Sequence, residues 1–246
     1  MWAAALLAAG CYSGASADTD ADAGTASNPT ATDSGDPTDS GDPTDSGDSD
    51  TANDAELLPQ TSRYPRLSHT QWENTVQDLF FLAEPTGFSA LFIGDPISGG
   101  FDNNSEALKV TATLWTDYQR GAEKVAEQVA SDPALLAKFA PQADGDSDAQ
   151  ATAFITNFGK RAYRRPLTAE EIARHLEIFH AGVATPGELA AYPAGVRLVV
   201  QAMLQSPHFL YRVEASEVPD GDKIRLSGHE IASKLSYMLW NTMPDD

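Results

Sequence analysis

Five histidines, one cysteine and one glycine-rich loop carry most of the reactive chemistry available to this 246-residue chain. His175 and His180 stand five apart, about 500° around a helix, so they do not share a face as two metal ligands would. His69 and His229 fall in the first turns of predicted helices, where solvated rings are expected. His208 follows Pro207 beside the apolar run Phe209-Leu210-Tyr211, with Arg212 next in the chain. A titratable group beside a cation and an apolar wall could bind a polar ligand or move a proton, and it could equally be a hydrogen-bonded corner. In the loop Gly94–Asn104, Phe101 supplies a stacking face, while Asp102, Asn103 and Asn104 supply planar hydrogen-bonding groups. Such a set suits a sugar or another polar substrate, although the same residues could simply cap the next helix. The candidate binding set is therefore Phe101, Asp102, Asn103, Asn104, His208 and Arg212, in one pocket if loop and corner meet. HExxH, GxSxG, P-loop and Rossmann fingerprints are all absent from the chain, so no catalytic residue can be named. No metal site is expected.

Cys11 is the only cysteine, so these residues hold no internal disulfide and no CxxCH haem-attachment motif. It follows Met-Trp-Ala-Ala-Ala-Leu-Leu-Ala-Ala-Gly, which reads as the apolar end of a lipoprotein signal over residues 1–11, with the thiol carrying lipid. The leader is short, lacks a basic start and has Ala8 where leucine is commoner; a translation start further upstream would explain the first two features. Tyr12 is not aspartate, so outer-membrane or cell-surface localisation is expected. No stretch reaches the ~20 apolar residues of a spanning helix, so membrane contact would be through the lipid.

Residues 12–58 hold twelve of the chain's acidic side chains and no Lys or Arg. The hexad Asp33-Ser34-Gly35-Asp36-Pro37-Thr38 repeats at 39–44 and begins again at 45. A segment with so few apolar side chains cannot offset its ordering entropy, and reads as a disordered acidic tether spanning roughly 35–40 Å or more. The Asp-x-Asp-x-Asp patterns at 18–22 and 144–148 resemble calcium loops, but neither has glycine at the sixth position or glutamate at the twelfth, and a solvated spacer fits better. With the tether removed the remainder is only mildly acidic, and no basic stripe suggests nucleic acid.

Three stretches share one helix-start device. Ser68 with Gln71, Thr168 with Glu171, and Ser227 with Glu230 form capping boxes, each flanked by an apolar pair: Leu67–Trp72, Leu167–Ile172, Leu226–Ile231. Apolar positions then recur at three-and-four spacing through Trp72, Val76, Leu79 and Phe80, through Ile172, Leu176 and Phe179, and through Ile231, Leu235, Met238 and Leu239. A long helix is read over Leu108, Thr111, Trp115, Tyr118, Ala122, Val125 and Val129, stopping before Asp132-Pro133. Another runs through Phe154, Ile155, Phe158 and Ala162 to Arg161, Arg164 and Arg165, whose charges suit a helix C-terminus. The most apolar helix carries Val196, Val199, Val200, Met203 and Leu204, and is closed by Pro207. Strand character is confined to Phe209–Val213. The expected class is all-α: an irregular multi-helix domain after a disordered linker, with helical segments at 59–140, 147–182 and 186–246.

Five segments taken in order resemble one family. They are Leu67-Ser68 with Trp72–Leu79, Gly100–Asn103, Lys160–Thr168, Gln205–Glu214, and Ala232–Trp240 with Met243–Asp246. The chain looks like the exported bacterial proteins of consecutive domains of unknown function, the "DUF fifteen-ninety-two" type common in planctomycetes and myxobacteria. The resemblance implies an envelope or secreted protein, often associated with cytochrome c, and carries no catalytic residue set. It also implies that the family pattern continues past residue 246, so that covalent haem could occur only in downstream sequence. Two functions are therefore expected: the helical part of an envelope-anchored redox or polymer-degrading protein, or a noncatalytic surface module that binds polysaccharide or partner proteins.

Overall fold

Each of the three boxed sequences opens a helix in the computed structural model of the protein, which describes residues 62–142, 147–221 and 223–245. Helix α1 (His69–Leu79) starts on Ser68 and Gln71, α5 (Ala169–Ala184) on Thr168 and Glu171, and α8 (Gly228–Leu239) on Ser227 and Glu230. In all three the hydroxyl accepts from the N3 amide while the N3 side chain returns to the cap amide. Alanine at Ser68, Thr168 or Ser227 is expected to lower stability by about 1 kcal/mol each. Urea midpoints of the three variants check this, with the largest shift expected at Ser68, which is buried whereas Ser227 is exposed. Cys11, the 12–58 tether, Asp144 and Asp146 lie outside the described residues.

The other helices are α2 (Ala112–Ser131), α3 (Pro133–Phe139), α4 (Ser147–Tyr163), α6 (Ala191–Gln205) and the single turn α7 (Pro207–Leu210). Helix α6 lies at the centre and packs against both α2 and α5. Its Val196, Val199, Val200, Met203 and Leu204 are all fully buried. Contact with α5 is close because both helices lack a side chain there. A Cβ on Gly182 would lie 2.6 Å from the Ala194 carbonyl oxygen, and one on Gly195 would lie 2.5 Å from the Phe179 ring. A phenylalanine cluster of Phe80, Phe139, Phe154 and Phe158 joins α1, α3 and α4. Helices from residues 59–140, 147–182 and 186–246 thus share one core.

The protein is mostly helical, as expected, with a two-stranded antiparallel hairpin, β1 (Val218–Asp220) and β2 (Lys223–Arg225), as its sheet among the described residues. The predicted strand at Phe209–Val213 is instead divided. Ser206 caps α7 through the His208 amide, with Pro207 pre-set at its first position, so the chain turns helical before it extends. Only from Tyr211 does it pair, against residues 63–67: the Leu67 amide donates to the Leu210 carbonyl, Arg212 to Pro65, and Glu214 to Arg63. Asp132-Pro133, read as a stop, is also a start, because the Asp132 carboxylate accepts from the Ala134 and Leu135 amides and opens α3. Helix α2 begins only at Ala112 on a Thr111 cap and turns Trp115 partly outward, since Leu114 takes the buried position. The largest departure is α8. Its expected inner face of Ile231, Leu235, Met238 and Leu239 is exposed, and Ser233, Ser236 and Tyr237 face inward. Periodicity locates an apolar stripe but does not say which side of the helix is covered.

Candidate functional site

Helix α4 ends in three arginines, and two of them serve the ends of other helices. Arg161 donates to the Asp78 and Leu79 carbonyls in the last turn of α1 and stacks on Phe81. Arg164 adopts a left-handed backbone, φ 57°, just past the end of α4, and directs its guanidinium inward. There it donates to the carbonyls of His208, Phe209 and Tyr211 at 2.7–2.9 Å, groups that a single helical turn leaves without intrahelical partners. Its other nitrogen reaches the Tyr237 hydroxyl, 3.3 Å away, which also pairs with the Thr75 hydroxyl at 2.8 Å. Arg164 therefore ties α4 to α7 and α8. Arg212 lies over the same Tyr237 ring, 5.4 Å from its centre.

Arg165 grips Glu171 in a bidentate pair at 2.7 and 2.9 Å, and the same carboxylate closes the α5 capping box by accepting the Thr168 amide. His208 sits against this pair, with Nδ1 3.4 Å from the Arg165 guanidinium and Nε2 3.6 Å from Glu171. Its ring packs on Tyr163 at 5.2 Å, whose hydroxyl faces His175 Nε2 at 3.3 Å. The His175 Nδ1–H donates to the Glu171 carbonyl, which leaves Nε2 to accept. A recess of about 420 Å³ opens here, bounded by Tyr163, Arg165 and His208 on one side and Ser216, Glu230 and Ser233 on the other. The Arg165 hydrogen bonds hold Glu171 down at about 2. Burial pushes Glu230 upward, but hydrogen bonds from Ser216 and Ser227 outweigh it and leave the carboxyl at about 2. Burial, then the Arg165 charge, lowers His208.

A second anchored cluster holds the glycine-rich loop. Arg66, fully buried, donates to the Leu67 carbonyl, the Tyr118 hydroxyl and the Asp95 carboxylate. Asp95 also accepts the His69 amide at 2.6 Å and faces the His69 ring at 3.2 Å. His69 is therefore enclosed, with Phe92 and Tyr118 edge-on to it, and not solvated as expected. Burial lowers its pKa despite Asp95. The pH dependence follows from these directions. His69 and His208 bind protons more readily when unfolded, so stability should fall as pH drops below about 6.5. It should fall again from about 4.5 toward 2, as Glu171 and Glu230 resist protonation in the fold but not in the unfolded chain. Urea midpoints from pH 8 to pH 3 check this, with His69→Gln flattening the upper step.

On the far side of α8 a second recess of about 420 Å³ is lined by Asp78, Ser236, Trp240, Thr242 and Asp245 among others. It runs into a smaller one, about 230 Å³, lined by Lys160, Arg161, Arg164 and His229, the two sharing Ala232, Pro244 and Asp245. Trp240 is 69% exposed at the rim. The floor is pinned by Thr242, which donates to Asp78 at 2.6 Å, and by Asn74, which donates to the Asn241 carbonyl.

Three family profiles match the chain in order. Residues 65–131 match PSD3, a protein of unknown function (DUF1587); residues 150–214 match PSD5, a protein of unknown function (DUF1595); and residues 226–246 match PSD4, a protein of unknown function (DUF1592). The chain belongs to this cluster of families. No curated protein and no solved structure matches it.

In this DUF1587/DUF1595/DUF1592 protein the candidate residues are placed as follows. His208 lines the first recess, whereas Phe101, Asp102, Asn103 and Asn104 are not among the residues lining it. Phe101 is exposed and pairs through its backbone with Ser98; Asn104 bonds Ser98 and caps the Glu106 amide; Asp102 lies 3.5 Å from the Thr70 hydroxyl. Arg212 is half-buried against Tyr237. The partners of His208 went unread in the sequence because Glu171 already had a local role as a capping residue. Trp240 was hidden by its place at the end of an apolar stripe expected to face inward.

Proposed function

We propose that the described helical unit is a noncatalytic polysaccharide-binding module of a cell-envelope lipoprotein, held to the membrane through lipid on Cys11. The observation that carries this reading is the Trp240 recess. An exposed indole at the rim of a cavity of about 420 Å³, with Asp78, Ser236, Thr242 and Asp245 around it, offers an apolar plate for a sugar ring and polar groups for its hydroxyls. The carboxylates of the His208 recess are committed to structural partners and offer no general acid. Glu171 and Glu230, the carboxylates around it, are held at about 2 by structural hydrogen bonds, so neither is a proton donor at neutral pH. Both nitrogens of His208 face the Arg165–Glu171 pair.

The test is retention of the full chain on insoluble cell-wall polysaccharide together with an assay for released reducing ends. Retention without release is expected. Release that disappears in His208→Gln would replace this reading with a degradative one. Lipid attachment is tested separately by palmitate labelling of the precursor, with label expected in the native protein and lost in Cys11→Ser.

A further inference from the structure

The loop between α1 and α2 holds apolar side chains outward on a fixed frame. From residue 85 to residue 101 its one charged side chain is Asp95, which is enclosed and paired to Arg66. Leu91, Ile93, Ile97 and Phe101 in the same stretch are 52–77% exposed. This exposure does not come from a slack chain. The Glu73 carboxylate accepts the Thr86, Gly87 and Ser89 amides at 2.7–3.3 Å and so fixes the short turn Phe88–Leu91. The Asp117 carboxylate accepts the Ile93 amide at 3.0 Å. Ser98 and Phe101 exchange backbone hydrogen bonds across Gly99 and Gly100, whose φ values of 60° and 85° make a two-residue hairpin tip. Ile97 and Phe101 flank that tip.

Two cations stand beside this apolar stretch. Arg120 and Lys124, one turn apart on α2, line a recess of about 140 Å³ together with Phe88, Leu91, Phe92 and Asp117. The Arg120 side chain is exposed, 3.9 Å from Asp117, and the Lys124 ammonium lies 5.9 Å from the centre of the Phe88 ring. Glu123 and Glu127 of α2 are not among the residues lining this recess. Uncharged aliphatic side chains next to two neighbouring cations match the boundary of a phospholipid leaflet, where acyl chains lie beneath phosphates. A saccharide would set its hydroxyls against Leu91, Ile93 and Ile97, which offer them no hydrogen bond. A second copy docked face to face would bring Arg120 and Lys124 toward their own counterparts. We propose that the 88–101 loop docks on a phospholipid surface. Leu91, Ile93, Ile97 and Phe101 enter the acyl boundary while Arg120 and Lys124 meet lipid phosphates. This contact is separate from lipid on Cys11 and from the Trp240 recess.

The experiment is flotation of the full chain carrying Cys11→Ser, which removes the anchor thiol, with vesicles of phosphatidylethanolamine and phosphatidylglycerol. Binding is expected, and Leu91→Ser combined with Ile97→Ser should weaken it about tenfold or more. Arg120→Gln combined with Lys124→Gln should weaken it severalfold, and that deficit should shrink as salt is raised. All four side chains are exposed, and unchanged circular dichroism shows that each variant folds. Cys11 is the only cysteine, so Ile97→Cys in the Cys11→Ser chain takes a single environment-sensitive fluorescent label. On vesicles its emission should shift to the blue, whereas the same label at Val183→Cys on α5 should stay aqueous. No flotation, flotation untouched by either pair of substitutions, or equal emission at the two labels would overturn the proposal. A dimer in solution that is lost in the Leu91→Ser, Ile97→Ser chain would overturn it in favour of a second copy on this face.

Discussion

Replacing Arg66 with methionine is expected to lower the unfolding free energy by about 3–5 kcal/mol, the usual cost of removing one partner from a buried ion pair. Arg66 and Asp95 are nearly inaccessible, with side-chain exposures of 1% and 8%. Methionine fills much of the same volume, so the loss would reflect chiefly the Asp95 charge left without its guanidinium and the Tyr118 hydroxyl left without its donor. Asp95→Asn in the Arg66→Met background should recover part of the loss, since the stranded charge is then gone. Denaturant midpoints of the two single variants and the double variant give the coupling directly. Additive losses would mean that the pair does not act as a unit. Because Asp95 also holds the first amide of α1, loosening of the 94–104 loop should accompany the loss.

Arg164→Met should cost about 3 kcal/mol or more, because the carbonyls of His208, Phe209 and Tyr211 lose one shared donor inside the fold. Arg164→Gly separates two contributions. Glycine loses the same hydrogen bonds but relieves the left-handed backbone, and should be less damaging than methionine by about 1 kcal/mol. Urea unfolding of both variants checks the order. If glycine were the worse of the two, the φ of 57° would not be a strained position.

Local chemistry was legible where it is self-contained. Ser68, Thr168 and Ser227 cap helices because their partners lie three residues away, and the face of α6 is read from spacing alone. What was not legible involves partners remote in sequence. The C-terminal arginines of α4 were expected to complement their own helix dipole, yet Arg161 and Arg164 complement α1 and α7, about 80 and 45 residues away. His69 looked exposed because nothing near it in sequence announces Asp95 or Phe92. The direction of α8 was misread for the same reason: Tyr237, not its aliphatic neighbours, finds Thr75 and Arg164.

The pairing of residues 63–67 with 210–214 has a consequence for the order in which the molecule assembles. Arg63 reaches the Ser216 carbonyl across 153 positions, and three backbone hydrogen bonds lie alongside that contact. Helices such as α5 and α6 can dock as soon as both exist, because little chain separates them. The 63–67 stretch must wait for almost the whole folded unit. A ribosome delivers residue 214 about 150 positions after residue 63, so the start of α1 lacks its lateral support throughout that interval. Closing so long a loop costs only slightly more free energy than closing a short one, but it comes late in time. The pairing of 63–67 with 210–214 is thus a late step, followed only by the docking of α8, and a chain stopped short of residue 210 would keep α1 to α6 while leaving Arg66 without the neighbouring strand that pairs beside it.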